Sequence, residues 1–186
     1  MLKEPKVLVY LMHQDDPKKC TSSKLVKFNL AKPIYSKRQI SKLAIILNPF
    51  SKKLLLKYDK KYYSYGLVAI DCSWKKSLSI FSKGFKGQSR RLPLLLAANP
   101  TNYAKLSTLS SAEALAASLY IAGYEEYAVS MLSKFKWGLN FFELNKESLN
   151  DYKGAKNEEE VFEIEKSYFK KTSLELMSII LSYVKD

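Results

Sequence analysis

A carboxylate, a thiol, a hydroxyl and an indole stand side by side in "IDCSW", as Asp71, Cys72, Ser73 and Trp74. Four apolar residues, Leu67 to Ile70, lead into them and read as a buried strand. A carboxylate beside a flat aromatic ring is what a bound cation selects. Each residue also has a plainer use. An Asp at a strand end commonly caps the next helix, and a Trp commonly fills a core. Spacing alone favours those plainer uses.

Other groups point to an anion. Thr21 stands where a short helix begins, as an N-cap whose free N–H groups would also receive a carboxylate. Ser110 and Ser111 open another helix, and Ser110 with Glu113 spells the S-x-x-E capping box. Cys20 and Cys72 read as small buried apolar residues. With two cysteines and the single histidine His13, zinc, a Cys-His nucleophile and a Ser-His-Asp triad are rejected, and no metal is expected. Neither a G-x-G-x-x-G stretch nor a P-loop is present.

The elements that must position these groups are apolar runs stopped by polar turns. "KVLVYLM" (6–12), "LAIILNP" (43–49), "LVAIDCS" (67–73) and "RLPLLLAANP" (91–100) read as strands. They are continuous rather than alternating, which suits a parallel sheet covered on both faces. "KYDKKYYSYG" reads as a helix ended by Gly66, and "WKKSLSIFSKG" as a short helix. From Ser110 the texture turns helical. "SSAEALAASLYIAG" ends at Gly123 and "EEYAVSMLSKFKWG" at Gly138, with Trp137 as core; "NEEEVFEIEKSYFKK" and "SLELMSIILSYV" are amphipathic. The reading is α/β over 1–103 followed by an all-α part over 104–186. Ligands of such sheets bind at the strands' carboxyl ends, and four strand ends here carry polar groups or proline.

The net charge is +13, but the first hundred residues carry +16 and the rest −3. Between Cys72 and Ala112 lie seven basic residues and no acid. That asymmetry favours a polyanion, most simply nucleic acid. The apolar runs are too short to span a bilayer, and the N-terminal residues lack the pattern of a signal peptide, so a cytoplasmic protein without a membrane partner is expected.

Taken in order, "DPKKCTSSKL", "LNP", "IDCSW", "RLPLLLAANPTNY", "LSSAEALAASLYIAG" and "FKWGLNFFELN" resemble the small-subunit ribosomal RNA aminocarboxypropyltransferases of archaea and eukaryotes. The resemblance runs from about Lys6 to Phe169. It implies a SPOUT-like N-terminal domain with a parallel sheet and a trefoil knot, plus a helical C-terminal domain. It implies transfer of the 3-amino-3-carboxypropyl (acp) group of S-adenosylmethionine to N3 of a pseudouridine or uridine in small-subunit rRNA, with 5′-methylthioadenosine released.

By the same resemblance Asp71 lies near the sulfonium, while Trp74 and Ser77 bury its methyl group. Leu47 and Pro49 pack on adenine; Leu92, Leu109 and Ala114 close that pocket. Backbone groups of Ile70, Leu92 and Ser107 take the ribose and base edge. Thr21 and the backbone of Ser111 hold the carboxylate of the transferred group. Asp71 is expected to act by charge rather than as a base, since a carboxylate is a weak base for a pyrimidine N3–H. The RNA contacts are expected at Lys75, Lys76, Lys83, Lys86, Arg90 and Arg91, with Lys24 and Arg38 behind them. The partner is rRNA or a pre-ribosomal particle, and the chain is expected to be a monomer.

This sequence departs from the family at three points. Ser23 stands where a glycine is common, Ala104 where "NYG" has one, and "KLST" lacks a proline. Two rival readings remain at this point: a SPOUT-type methyltransferase using the same cofactor, and a non-catalytic rRNA clamp.

Overall fold

The computed structural model describes residues 4–12 and 20–169. The segment "HQDDPKK" and the last helix expected from sequence lie outside the described residues. Five strands form one parallel sheet: β1 (Val7–Leu11), β2 (Lys32–Ile34), β3 (Ile45–Leu47), β4 (Leu67–Asp71) and β5 (Gln88–Arg90). Their order is β2-β1-β4-β3-β5. Thus β1 and β4 pair along their whole length, from Val7 opposite Leu67 to Leu11 opposite Asp71. The chain leaving β1 turns out to β2 on one side, while the chain leaving β4 crosses to β5 on the other. Two neighbouring strands whose connections diverge leave a crevice at their carboxyl ends.

Continuous apolar runs occupy the centre because both faces are covered. Val7, Val9, Leu67 and Ala69 face a core shared with α1 (Thr21–Lys27) and α3 (Ser111–Ile121). Leu8, Ile46, Val68 and Ile70 face the other way, onto Ile80 and Phe81 of α2 (Trp74–Ser82). After α3 come α4 (Glu125–Leu132), α5 (Gly138–Leu144), α6 (Lys146–Gly154) and α7 (Glu158–Phe169). No helix among the described residues is long and apolar enough to cross a membrane.

One strand was not foreseen, and three readings are corrected. β2 is a short edge strand containing Pro33, tolerated there because an edge has N–H positions with no ladder partner. "KYDKKYYSYG" forms a 3-10 turn, Lys57–Tyr62, not an α-helix. Gly138 does not end a helix but begins α5, with Trp137 as its N-cap residue; a Cβ at 138 would collide with the carbonyl of Leu132. The third correction matters most. The sheet ends at Arg90, and the apolar run 91–99 is no strand.

That run is buried without a ladder, so its amides need other partners. Leu94 donates to the Glu165 carboxylate (3.1 Å), Leu96 to the Asn145 side chain (2.8 Å), and Ala98 and Asn99 to Glu113 (2.7 and 2.9 Å). The Tyr152 hydroxyl donates to the Leu94 carbonyl (3.1 Å). Side chains of the helical part therefore do for 91–99 what a neighbouring strand does elsewhere. The chain then folds back, with Ala97 bonded to Lys105 (3.0 Å) and Ser107 to Leu95 (2.8 Å).

Two phenols in this core fix an alkaline limit. Tyr63 and Tyr152 are fully buried, and desolvation holds both well above the ordinary phenol value of 10.0. A phenol raised in the folded state stabilises fully below pH 10 and loses that contribution as pH climbs above it. Stability should fall by about 1.4 kcal/mol per pH unit for each phenol there. Urea unfolding between pH 9 and 11 measures the slope, and Tyr63→Phe with Tyr152→Phe should flatten it.

Candidate functional site

At the carboxyl ends of β3 and β4, beside the start of α1, lies a cavity of about 1000 Å³. β4 delivers Ile70 and Asp71 to its base. The next residues start α2, so Trp74 is the first helical residue and Ser77 lies one turn on, both at the wall. Asp71 does not cap α2; Ser73 holds that position. Ser77 is buried, and its hydroxyl donates to the Trp74 carbonyl at 2.7 Å, which ties it to its own helix.

β3 ends in Leu47, and Asn48 with Pro49 continues along the cavity. The 91–99 run contributes Leu92, and the chain folding back contributes Ser107 and Leu109. Ser107 has a positive φ of 59°. Ala104 shares that conformation (φ 59°), so the glycine common at this position suits the backbone and alanine holds it under strain. α3 supplies Ser111 and Ala114. Ser110 and Glu113 form the capping box expected from sequence, with the Ser110 hydroxyl accepting from the Glu113 amide at 3.3 Å. Ser111 thus brings to the cavity a first-turn N–H that its own helix cannot use.

Thr21 also lines the cavity, but it is the first residue of α1 and not its cap. The N-cap is Cys20, whose sulfur accepts from the Ser23 amide at 3.3 Å. Cys20 is buried, as expected, yet its thiol lies 3.3 and 3.4 Å from the two oxygens of Asp71. Burial pushes the thiol's pKa up; the bonds from Ser23 pull it down and the Asp71 charge adds to the rise. The thiol therefore stays protonated and donates to the carboxylate. Sequence reasoning missed this bond, because its partners stand 51 positions apart. It also missed Phe135 and Trp137, which reach the cavity from the loop between α4 and α5.

The structure gathers every residue expected to hold a cofactor: Thr21, Leu47, Pro49, Ile70, Asp71, Trp74, Ser77, Leu92, Ser107, Leu109, Ser111 and Ala114 all line this one cavity. The basic residues divide. Lys24, Lys75 and Arg91 line it as well. Lys76, Lys83, Lys86 and Arg38 are exposed beyond it. The Lys37 ammonium donates to the Gly84 carbonyl (2.8 Å) and lies 4.3 Å from the Phe85 ring, which brings the 37–39 turn against the 83–86 turn. Arg90 and Arg91 are turned to internal partners. Arg90 pairs with buried Asp59 at 3.1 Å and Arg91 with buried Glu165 at 3.0 Å.

Among the described residues, no cluster of His, Cys, Asp and Glu could hold a metal ion. What the cavity offers is room for a nucleoside and more, apolar walls, four aromatic side chains (Trp74, Phe81, Phe135 and Trp137), one carboxylate and the first turns of three helices. Fold and cavity together define an α/β protein with a cavity suited to a small organic ligand at the carboxyl ends of its parallel strands.

The comparisons make this specific. The family described as "Ribosome biogenesis protein, C-terminal" matches residues 45–169. A 16S rRNA aminocarboxypropyltransferase of Thermoplasma volcanium is 50% identical over 159 residues, 85% of this chain and 94% of the relative. Its counterpart in Methanocaldococcus jannaschii is 42% identical over 173 residues, 92% of this chain and 100% of the relative. The solved structure of the SAM-dependent rRNA:acp-transferase Tsr3 from Vulcanisaeta distributa matches with a TM-score of 0.90 at 36% identity, over 100% of both chains. The chain belongs to the 16S rRNA aminocarboxypropyltransferase family, as the motifs implied. Residues 5–38 also match a family described as "Possible Fer4-like domain in RNase L inhibitor, RLI". That segment holds one cysteine, Cys20, and a four-thiolate cluster does not fit it.

Proposed function

We propose that this enzyme transfers the 3-amino-3-carboxypropyl group of S-adenosylmethionine to N3 of a uridine or pseudouridine in small-subunit rRNA, during ribosome biogenesis. The observation that carries the reading is the gathering of the expected residues in one cavity, with Asp71 at the end of β4. Bound S-adenosylmethionine supplies an electrophilic γ-carbon; its C–S bond breaks as the N3–C bond forms, and the sulfur leaves as neutral 5′-methylthioadenosine.

The protein's part is binding and aim. Leu47, Pro49, Leu92, Leu109 and Ala114 give the apolar walls that adenine needs. Asp71 places a negative charge where the sulfonium lies, and Trp74 with Ser77 covers the methyl carbon. Thr21 and the Ser111 N–H hold the carboxylate of the moving group. With the methyl covered, the γ-carbon alone faces the RNA, so reaction choice follows from orientation. The N3 proton leaves to water.

The RNA lies across the cavity mouth. Lys24 and Lys75 stand there, and Lys76, Lys83, Lys86 and Arg38 extend the positive surface past α2. Arg90 and Arg91 drop out of this set, being committed to Asp59 and Glu165. Changing Lys76 and Lys83 together to alanine should weaken RNA binding and flatten its salt slope by about 1.4, two contacts at about 0.7 each for single strands. An unchanged slope in filter binding would place them outside the interface.

The remaining parts of the reading are a SPOUT-like trefoil knot in residues 1–103 and action on a pre-ribosomal particle, which rest on the resemblance, and a separate helical unit over 104–186 in a cytoplasmic monomer, which rests on the sequence's change of texture and its short apolar runs. The test of the reaction is a dual-label assay. Small-subunit rRNA is incubated with S-adenosylmethionine carrying label in its carboxyl or its methyl carbon. Carboxyl label alone should enter RNA. Methyl label alone would make the protein a methyltransferase, and neither label, without cofactor binding, an RNA clamp. In Trp74→Ala the carboxyl-to-methyl ratio should drop at least about tenfold, the equivalent of about 1.4 kcal/mol of lost discrimination.

A further inference from the structure

We infer that Cys20 is a positioning residue: its thiol ties the first turn of α1 to the Asp71 carboxylate and so sets how strongly the site prefers a cationic sulfonium to a neutral thioether. The inference rests on the reading of the cavity given above. One sulfur makes both connections. It accepts the Ser23 amide at 3.3 Å as the cap of α1, and it approaches both Asp71 oxygens, at 3.3 and 3.4 Å. The near-equal distances place the sulfur within reach of both oxygens and so restrain the swing of the carboxylate.

The chemistry of the contact is one-directional. A carboxylate can only accept, so the thiol must carry its proton. Burial against a neighbouring anion keeps that proton in place. Asp71 is partly exposed, and without a fixed donor it would turn towards water. A carboxylate that turns away is both farther from a bound cation and better screened from it. Thr21 follows Cys20 directly in the chain. The two ends of the donor, its sulfonium and its amino acid carboxylate, are therefore held in register through Cys20.

The test compares binding of S-adenosylmethionine with that of S-adenosylhomocysteine, which lacks the methyl group and with it the positive charge; the methyl contacts of Trp74 and Ser77 are common to wild type and variant, so the change in the ratio reads the charge. Calorimetry gives the ratio of the two dissociation constants. In Cys20→Ala that ratio should fall about three- to tenfold, the range of one hydrogen bond. Cys20→Ser, which can both accept from Ser23 and donate to Asp71, should keep it. Cys20→Ala added to Asp71→Asn should change the ratio no further, because the thiol acts through that carboxylate.

A thermal melt run alongside separates misfolding from loss of preference. Equal weakening of both ligands by Cys20→Ala would make Cys20 a helix cap only and overturn the inference. So would an unchanged ratio, or a further drop on the Asp71→Asn background. A wild-type protein without preference between the two ligands would instead overturn the sulfonium reading beneath it, whatever the variants do.

Discussion

Asp71→Asn should weaken S-adenosylmethionine binding by about ten- to a hundredfold while leaving S-adenosylhomocysteine within about threefold of wild type. The change removes one charge and keeps the shape. Hydrogen bonds and contacts to a charged group contribute about 1.5–3 kcal/mol, which is that range of affinity. Asp71 stands at the end of β4, its backbone pinned by pairing with β1, and the side-chain contact that the substitution alters is the one from the Cys20 thiol. Calorimetry for both ligands and single-turnover transfer at saturating donor complete the measurement. If Asp71 acts by charge, saturation restores much of the rate. If binding is normal and transfer is lost at saturation, Asp71 is the base for the N3 proton, and the electrostatic account falls.

Glu113→Ala should cost more than about 3 kcal/mol of folding stability and empty the cavity of its shape. Glu113 is completely buried. One carboxylate oxygen accepts from Ala98 (2.7 Å) and Asn99 (2.9 Å); the other accepts from the Asn99 side chain (2.8 Å) and the Ser110 amide (2.7 Å). Removing it strands these donors away from water, each at about 1–3 kcal/mol, though not additively. Glu113→Gln should be nearly as damaging. Its NH₂ group would face two donors where an acceptor is needed. Urea titration reads the loss. A glutamine variant within about 1 kcal/mol of wild type would show that shape rather than the acceptor pair holds the loop. Asn99 and Ser110 border the cavity, so donor affinity should fall in parallel in any variant that folds.

The central strands could be read in advance because β1, β3 and β4 are buried on both faces and show as unbroken apolar runs. β5 could not. Gln88, Ser89 and Arg90 are polar and half-buried, so the strand leaves no hydrophobic mark. The run beside it misled for the opposite reason. "LPLLLAA" is as buried as a strand, but its amides are met by side chains of Asn145, Glu165 and Glu113. Burial shows in sequence; the identity of the hydrogen-bond partner does not.

The site divides in the same way. Its residues were found through motifs held in a fixed order, and spacing alone favoured caps and core for Asp71, Trp74 and Ser110. Their meeting depends on β3 and α3 both packing beside β4, which pattern cannot state. The basic run counted charges correctly but not their commitments. Arg90 and Arg91 find partners 31 and 74 positions away. Composition registers a guanidinium, not its ion pair.

The bonds of 91–99 also bear on the order in which the molecule assembles. The amides of Leu94 and Leu96 reach partners 71 and 49 positions further along the chain. Until α7 and the start of α6 have docked, those amides have only water. Closing such loops costs chain entropy before any bond repays it, so contacts of this span belong late on a folding route. The cavity wall is then among the last parts to form, and it forms together with the helices that hold it. A nascent chain that has made only its sheet has Asp71 but no binding site, and the capacity to bind the donor arises only once the helical part is in place.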